Sequence, residues 1–187
     1  CPCGSVKLKA LFPTYSVKTT GHSLGAALAY LTQLDLIKAG IPTTMYNFGQ
    51  PRVGNQEFSA FVTANNLTPN SYRVVHNKDM VPHTPSSEFP LWFEHACLEV
   101  WEDQSHVVHG CSTSVCEDPK CSYQFGAIAQ NTADHLLYLN HCIGEAAATT
   151  LAPKKQTLSF NELNFLINML NTNNIINALK SWGFGVL

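Results

Sequence analysis

Tyr15-Ser-Val-Lys-Thr-Thr-Gly-His-Ser-Leu-Gly-Ala-Ala-Leu-Ala29 is the stretch that decides the architecture. Residues 15–20, with β-branched Val17 and Thr19, read as a short strand. Gly21-His-Ser-Leu-Gly25 then turns sharply, and small and apolar residues from Ala26 onward read as a helix. Strand, G-x-S-x-G and helix in that order make a turn that lifts the Ser23 hydroxyl off the end of a sheet. Side chains at positions 21 and 25 are expected to collide with neighbouring backbone, hence glycine at both. The turn also sets Ser23 at a helix N-terminus, where N–H groups lack partners and the dipole is positive. The Leu24 N–H is therefore the expected donor to an oxyanion formed on attack by Ser23.

Working outward, Ala26, Ala27, Leu28, Ala29, Leu31, Leu34, Leu36 and Ile37 make the helix apolar nearly all round, which predicts burial. Gly40 and Pro42 stop it. Residues 43–48 read as a second strand running into Gly49-Gln-Pro-Arg-Val-Gly54. Asn55 is placed to cap a helix whose Phe58, Phe61 and Val62 share one face. Residues 71–76 read as a third strand. Strands alternating with helices of this length predict an α/β fold with a mainly parallel sheet flanked by helices. Segments 91–95, 97–101 and 107–109 read as late sheet strands joined by a hairpin, and residues 134–140 as a helix. Phe160, Leu163, Leu166, Ile167 and Leu170 recur at helical spacing, so residues 151–187 read as a helical extension to a domain spanning 1–150.

Composition narrows the function classes. With 13% charged residues, 45% hydrophobic residues and a formal net charge of −2, the 187-residue chain has no basic field for nucleic acid. No run of 18 apolar residues occurs, so no membrane span is expected. Seven cysteines, three of them at 111, 116 and 121 in a polar Ser-rich loop, fit a local disulfide. The spacing lacks the close C-x-x-C ligand pair of a structural zinc site. Disulfides and the Asn66-Leu-Thr68 sequon favour a secreted or lumenal setting.

A serine hydroxyl attacks only when a positioned base takes its proton. In a strand–turn–helix serine fold the acid and then the base follow in the chain. Asp79 comes directly after the third strand, on the sheet edge where Ser23 lies. Among eight histidines, His22 is held in the turn, His83 reads as a wall of the site, and His135 and His141 both remain as bases. The residues alone leave that choice open.

Residues 21–29, Asn47-Phe-Gly-Gln-Pro-Arg-Val-Gly-Asn55, Asp79-Met-Val-Pro-His83 and Asp134-His-Leu-Leu-Tyr138 resemble, in order and separation, the signature blocks of the class 3 (fungal-type) lipases. The resemblance covers about residues 10–145. It implies an α/β-hydrolase fold with Ser23 as nucleophile, Asp79 as acid, His135 as base and Leu24 N–H as one oxyanion donor. It implies no metal or organic cofactor, a lipid ester substrate, and hydrolysis of acylglycerol esters through an acyl-enzyme. Esterase or phospholipase A1 activity, or lipid or partner binding without turnover, are the alternatives within it. Members carry an early strand, a second oxyanion donor in an early Ser/Thr block and a lid ahead of the nucleophile strand. By that comparison the chain is expected to lack the N-terminal part.

Overall fold

A computed structural model describes residues 9–96, 98–125 and 130–143. The expected extension at 151–187, with its apolar helix, lies outside those residues. The elements in chain order are β1 (Val17–His22), α1 (Leu24–Lys38), β2 (Thr43–Phe48), β3 (Gly54–Asn55), α2 (Gln56–Ala64), β4 (Ser71–His76), β5 (Phe93–Glu94), β6 (Glu99–Glu102), β7 (Val108–Gly110), β8 (Leu137–Tyr138) and β9 (His141–Cys142). A five-stranded sheet runs in the order β1-β2-β4-β6-β7. Its first four strands are parallel, and β7 returns antiparallel to β6. The expected α/β architecture is present.

Alternation along β2 explains how the sheet holds α1. Thr43, Met45 and Asn47 are buried while Thr44, Tyr46 and Phe48 are partly exposed, the period-two signature of a strand with one covered face. Tyr30 and Leu34 of α1, Met45, Val62 of α2 and Leu67 form the core on the covered side. The Asn47 Nδ2 donates to the Ala26 carbonyl at 2.7 Å, pinning the first turn of α1 to the sheet. Asn55 caps α2 as expected, its side chain accepting from the Phe58 N–H at 3.1 Å. Between β4 and β6, register partners Arg73 and Glu99 form an ion pair of 2.7 Å that is almost wholly buried. Glu99 also accepts from the Ser122 N–H at 3.0 Å. Removing one member of such a pair strands a buried charge, at a cost of about 3–5 kcal/mol.

Several local expectations need correction. The helix α1 is not buried all round: Leu24 is 69%, Leu28 57% and Leu31 43% exposed. Their i, i+4, i+7 spacing makes one apolar stripe, and composition alone cannot say which stripe of an all-apolar helix meets the sheet. Phe61, placed with Phe58 and Val62, is also half exposed. Of the three late strands, β5 pairs with β3 in a separate two-stranded ribbon and only β6 and β7 join the main sheet. Residues 134–140 are not a helix: a single 3-10 turn at Asp134–Leu136 leads into β8, which pairs with β9. The side chain of Asp134 is occupied by three donors from neighbouring loops, and that network overrides the helical pattern.

The cysteine loop is closed by a Cys111–Cys121 disulfide, as the spacing anticipated. Within it, Glu117 receives Arg52 in a two-point pair, Nε to Oε1 at 2.7 Å and Nη2 to Oε2 at 3.1 Å. The same guanidinium donates to the carbonyls of His83 and Pro85. The Gly-Gln-Pro-Arg-Val-Gly block therefore ties the disulfide loop to the segment that follows Asp79.

Candidate active site

The strand β1 delivers Ser23 with φ of 58° and ψ of −130°, a strained conformation for a residue with a side chain. The chain keeps it because both sides are fixed: the Ser23 N–H donates to the Phe48 carbonyl on β2, and its own carbonyl accepts from Ala26 and Ala27 in α1. Gly21 is required by space. A Cβ there would lie 2.3 Å from the Gly25 carbonyl oxygen. Gly25 is not: a Cβ on it meets nothing within 4 Å among the described residues, so the collision expected at that position is absent. The crowding between the two glycines falls on one side only.

Asp79 and His135 arrive at Ser23 from two other loops. The His135 Nε2 lies 2.8 Å from Ser23 Oγ, and its Nδ1 2.8 Å from Asp79 Oδ2. A carboxylate only accepts, so the Nδ1–H donates to Asp79, which leaves the Nε2 lone pair facing the serine O–H. Of the two histidines left open by residue reasoning, His135 joins this chain, while His141 sits exposed in β9. Asp79 is fully buried. Its Oδ1 accepts from the Val81 N–H at 2.9 Å, and its Oδ2 also takes the Tyr138 O–H at 2.5 Å.

Residues that sequence reasoning did not assign hold this array in place. Asp134, immediately before His135, accepts from Asn77 Nδ2, Lys78 N–H and Asn131 Nδ2 through one oxygen, at 2.9–3.0 Å. His22 Nε2 donates to the His135 carbonyl at 2.8 Å and its ring lies 4.4 Å from the His135 ring. Tyr138 is packed among His22, Phe48 and His76 at ring distances of 5.8–5.9 Å. Gly49, with φ of +58°, lets the chain pass directly under the imidazole: a Cβ there would be 2.8 Å from two atoms of the His135 ring and 3.0 Å from Asp79 Oδ2. The Asp-His-x-x-Tyr block contained Asp134 and Tyr138, but nothing in its spacing says that Tyr138 donates to the Asp79 carboxylate and that Asp134 gathers the loop donors of Asn77, Lys78 and Asn131. Gly49 gave no signal beyond the end of a strand.

Burial raises the Tyr138 phenol well above its ordinary value, and the Asp79 carboxylate beside it pushes the same way. Tyr138 therefore stays a donor at any working pH. Tyr138→Phe removes one of two donors to the Oδ2 that orients His135. Hydrogen bonds to charged groups contribute about 1.5–3 kcal/mol. We expect kcat to fall about tenfold or more with KM little changed, measured on a soluble chromogenic ester; an unchanged kcat would show that Asp79 is held for His135 without the phenol.

Three histidines are held below the ordinary imidazole value of 6.5, each mainly by burial: His22, His83 and, furthest, His95, whose Nε2 donates to the Pro82 carbonyl at 2.7 Å. Their neutral forms fit the fold, whereas the unfolded chain takes up protons as pH drops through about 6.5. Stability is thus unaffected above that pH and declines below it, by up to about 1.4 kcal/mol per pH unit for His95. Urea midpoints recorded from pH 8 to 5 should be flat and then fall. In His95→Gln the acid limb should be shallower than in the parent.

A parallel sheet with a serine at a strand–turn–helix junction, and with His and Asp brought to the same edge by later loops, defines an α/β-hydrolase. Residues 5–89 match the model of the class 3 lipases, and the chain belongs to that family. Relatives include the secreted mono- and diacylglycerol lipase 1 of Fusarium solani, 42% identical over 95 residues, 51% of this chain and 27% of that protein. The lipase of Rhizomucor miehei is 37% identical over 134 residues, 68% of this chain and 35% of that protein. Among solved structures, lipase II from Rhizopus niveus aligns with a TM-score of 0.66 at 31% identity, covering 74% of this chain and 52% of that one. A triacylglycerol lipase whose catalytic centre is described as a serine protease triad aligns with a TM-score of 0.66 at 34% identity, again over 74% and 52%. The chain spans about a third of the length of the curated relatives it matches.

Proposed function

We propose that this chain carries the catalytic centre of a serine ester hydrolase acting on acylglycerols, with Ser23 as nucleophile, His135 as base and Asp79 as the acid that orients it. The observation that carries the reading is the continuous hydrogen-bonded line Ser23–His135–Asp79, with both links at 2.8 Å. In this mechanism His135 Nε2 takes the Ser23 proton as Oγ attacks the ester carbonyl. The Leu24 N–H, in the first turn of α1, stabilises the oxyanion that forms. His135 then protonates the leaving alcohol, and a water repeats the sequence to release the acid. Asp79, buried and fully supplied with donors, holds the imidazole in the required tautomer throughout.

The reading of the substrate class is supported by the residues next to the array in the chain. Each of the three residues is followed in the chain by an exposed apolar side chain: Leu24 at 69%, Met80 at 36% and Leu136 at 44%. Apolar side chains beside the reacting residues favour an acyl chain over a charged substrate. The names of a fungal relative and of a solved lipase point to mono-, di- and triacylglycerols. We assign the catalytic portion to residues 1–150, with residues 151–187 a separate segment. We also assign the protein to a secreted or lumenal setting, in keeping with the Cys111–Cys121 disulfide; among the described residues no helix is long and apolar enough to cross a membrane.

Release of p-nitrophenol from butyrate and palmitate esters by the intact protein tests the reading. Turnover of both, with palmitate favoured in emulsion, supports a lipase. Turnover of butyrate alone redirects the assignment to an esterase, and hydrolysis of neither ester refutes it.

A further inference from the structure

Beneath the loop that carries His135, a second cluster of chemically active side chains has no part in the ester chemistry. His76 ends β4, Glu102 ends β6 as its register partner, and His106 stands in the turn between β6 and β7. One donor atom from each lies within 4.8 Å of the other two. Glu102 is fully buried, and His106 is its only ion-pair partner among the described residues. One oxygen accepts from the Leu139 N–H at 2.9 Å and the other from His106 Nδ1 at 2.6 Å. A buried carboxylate paired with nothing more cationic than an imidazole is costly, and a divalent ion would remove that cost.

The histidines are set as ligands. His76 is 2% exposed. Its Nδ1–H donates to the Asp134 carbonyl at 3.2 Å, which leaves the Nε2 lone pair for a metal. Metal-bound histidines are usually steadied by such a bond from the other ring nitrogen. His106 is 23% exposed on its side chain and gives the cluster a route from solvent. The two rings lie within 12° of parallel, so the His106 ring has to turn about its Cβ–Cγ bond to share an ion with His76; its place on a surface turn allows that. Two imidazole nitrogens, one carboxylate oxygen and a fourth position open to water match the preferences of zinc, whereas calcium and magnesium favour all-oxygen sets. Among the described residues the other grouping of this kind, Glu99 with Cys111 and Cys121, is ruled out because both sulfurs are in the disulfide.

We propose that His76, Glu102 and His106 form a zinc site. The ion would tie together β4, β6 and, through the Asp134 carbonyl and the Leu139 N–H, both sides of His135. Zinc occupancy would therefore stabilise the fold without entering the reaction.

Zinc chloride titrated into the EDTA-stripped intact protein, followed by calorimetry and by thermal unfolding, tests this. We expect one zinc per chain and a raised Tm, both retained in His109→Ala, which alters a neighbouring exposed histidine. His106→Ala, at a partly exposed position, should weaken zinc binding by about 100-fold or more, given that even supporting partners of metal ligands cost about 10–100-fold. Glu102→Gln, which keeps an acceptor for Leu139, should do the same while its zinc-free Tm reports folding. Absence of saturable binding, or binding that survives in His106→Ala and Glu102→Gln, would overturn the site.

Discussion

Ser23→Ala is expected to lower kcat for ester hydrolysis by about four to six orders of magnitude, the scale at which loss of a triad nucleophile acts in serine hydrolases. The substitution removes the hydroxyl that lies 2.8 Å from His135 Nε2. It leaves the turn itself intact, since the backbone bonds from the Ser23 N–H to Phe48 and from Ala26 and Ala27 to the Ser23 carbonyl do not involve the side chain. Thermal unfolding of the variant should therefore stay close to the parent while chromogenic ester hydrolysis falls to background. A variant that kept a tenth of the activity would mean that another group attacks the ester.

Gly49→Ala is the second large effect, and it is specific to the way this site is supported. At φ of +58° an added Cβ is strained, by roughly 1–2 kcal/mol. It would also lie 2.8 Å from His135 Cε1 and Nδ1. Neither the ring nor the sheet can absorb that overlap without moving His135 off Ser23, and a displacement near 1 Å costs about 100-fold in rate. Gly40→Ala is the matched control. Its φ is +76°, but among the described residues nothing lies within 4 Å of the new methyl. We expect Gly40→Ala to lower Tm with kcat unchanged, and Gly49→Ala to lower both. Equal kcat in the two variants would mean that the imidazole tolerates the methyl.

How far the sequence could carry this picture depended on whether a feature was local. Ser23, its turn and the flanking strand and helix were legible because glycine spacing, β-branching and small-residue runs all act within about fifteen residues. Asp79 was legible through its place at the end of β4. His135 was not: its loop has no periodicity, and only resemblance to a family chose it over His141. The same limit hid Gly49, Tyr138 and Asp134, whose importance lies in what crosses above or beside them in space. Gly49 contacts a ring 86 positions further along the chain, and no pattern at residue 49 records that. The exposed stripe Leu24, Leu28 and Leu31 failed for the opposite reason, since a helix apolar on every side carries no mark of which side is covered. At 134–140 the helical pattern was real but weaker than three hydrogen bonds to one carboxylate oxygen.

The family is established by sequence and fold together, whereas the roles of individual residues rest on geometry. Hydrogen-bonded contact among Ser23, His135 and Asp79 has one consequence that few other arrangements share, namely a serine activated enough to react with a phosphonyl electrophile at neutral pH. Labelling the intact protein with a fluorophosphonate and locating the adduct by tandem mass spectrometry tests that directly. A single adduct on Ser23, abolished in His135→Ala, is expected; an unlabelled protein, or an adduct on another residue, would contradict the assignment of Ser23 as nucleophile.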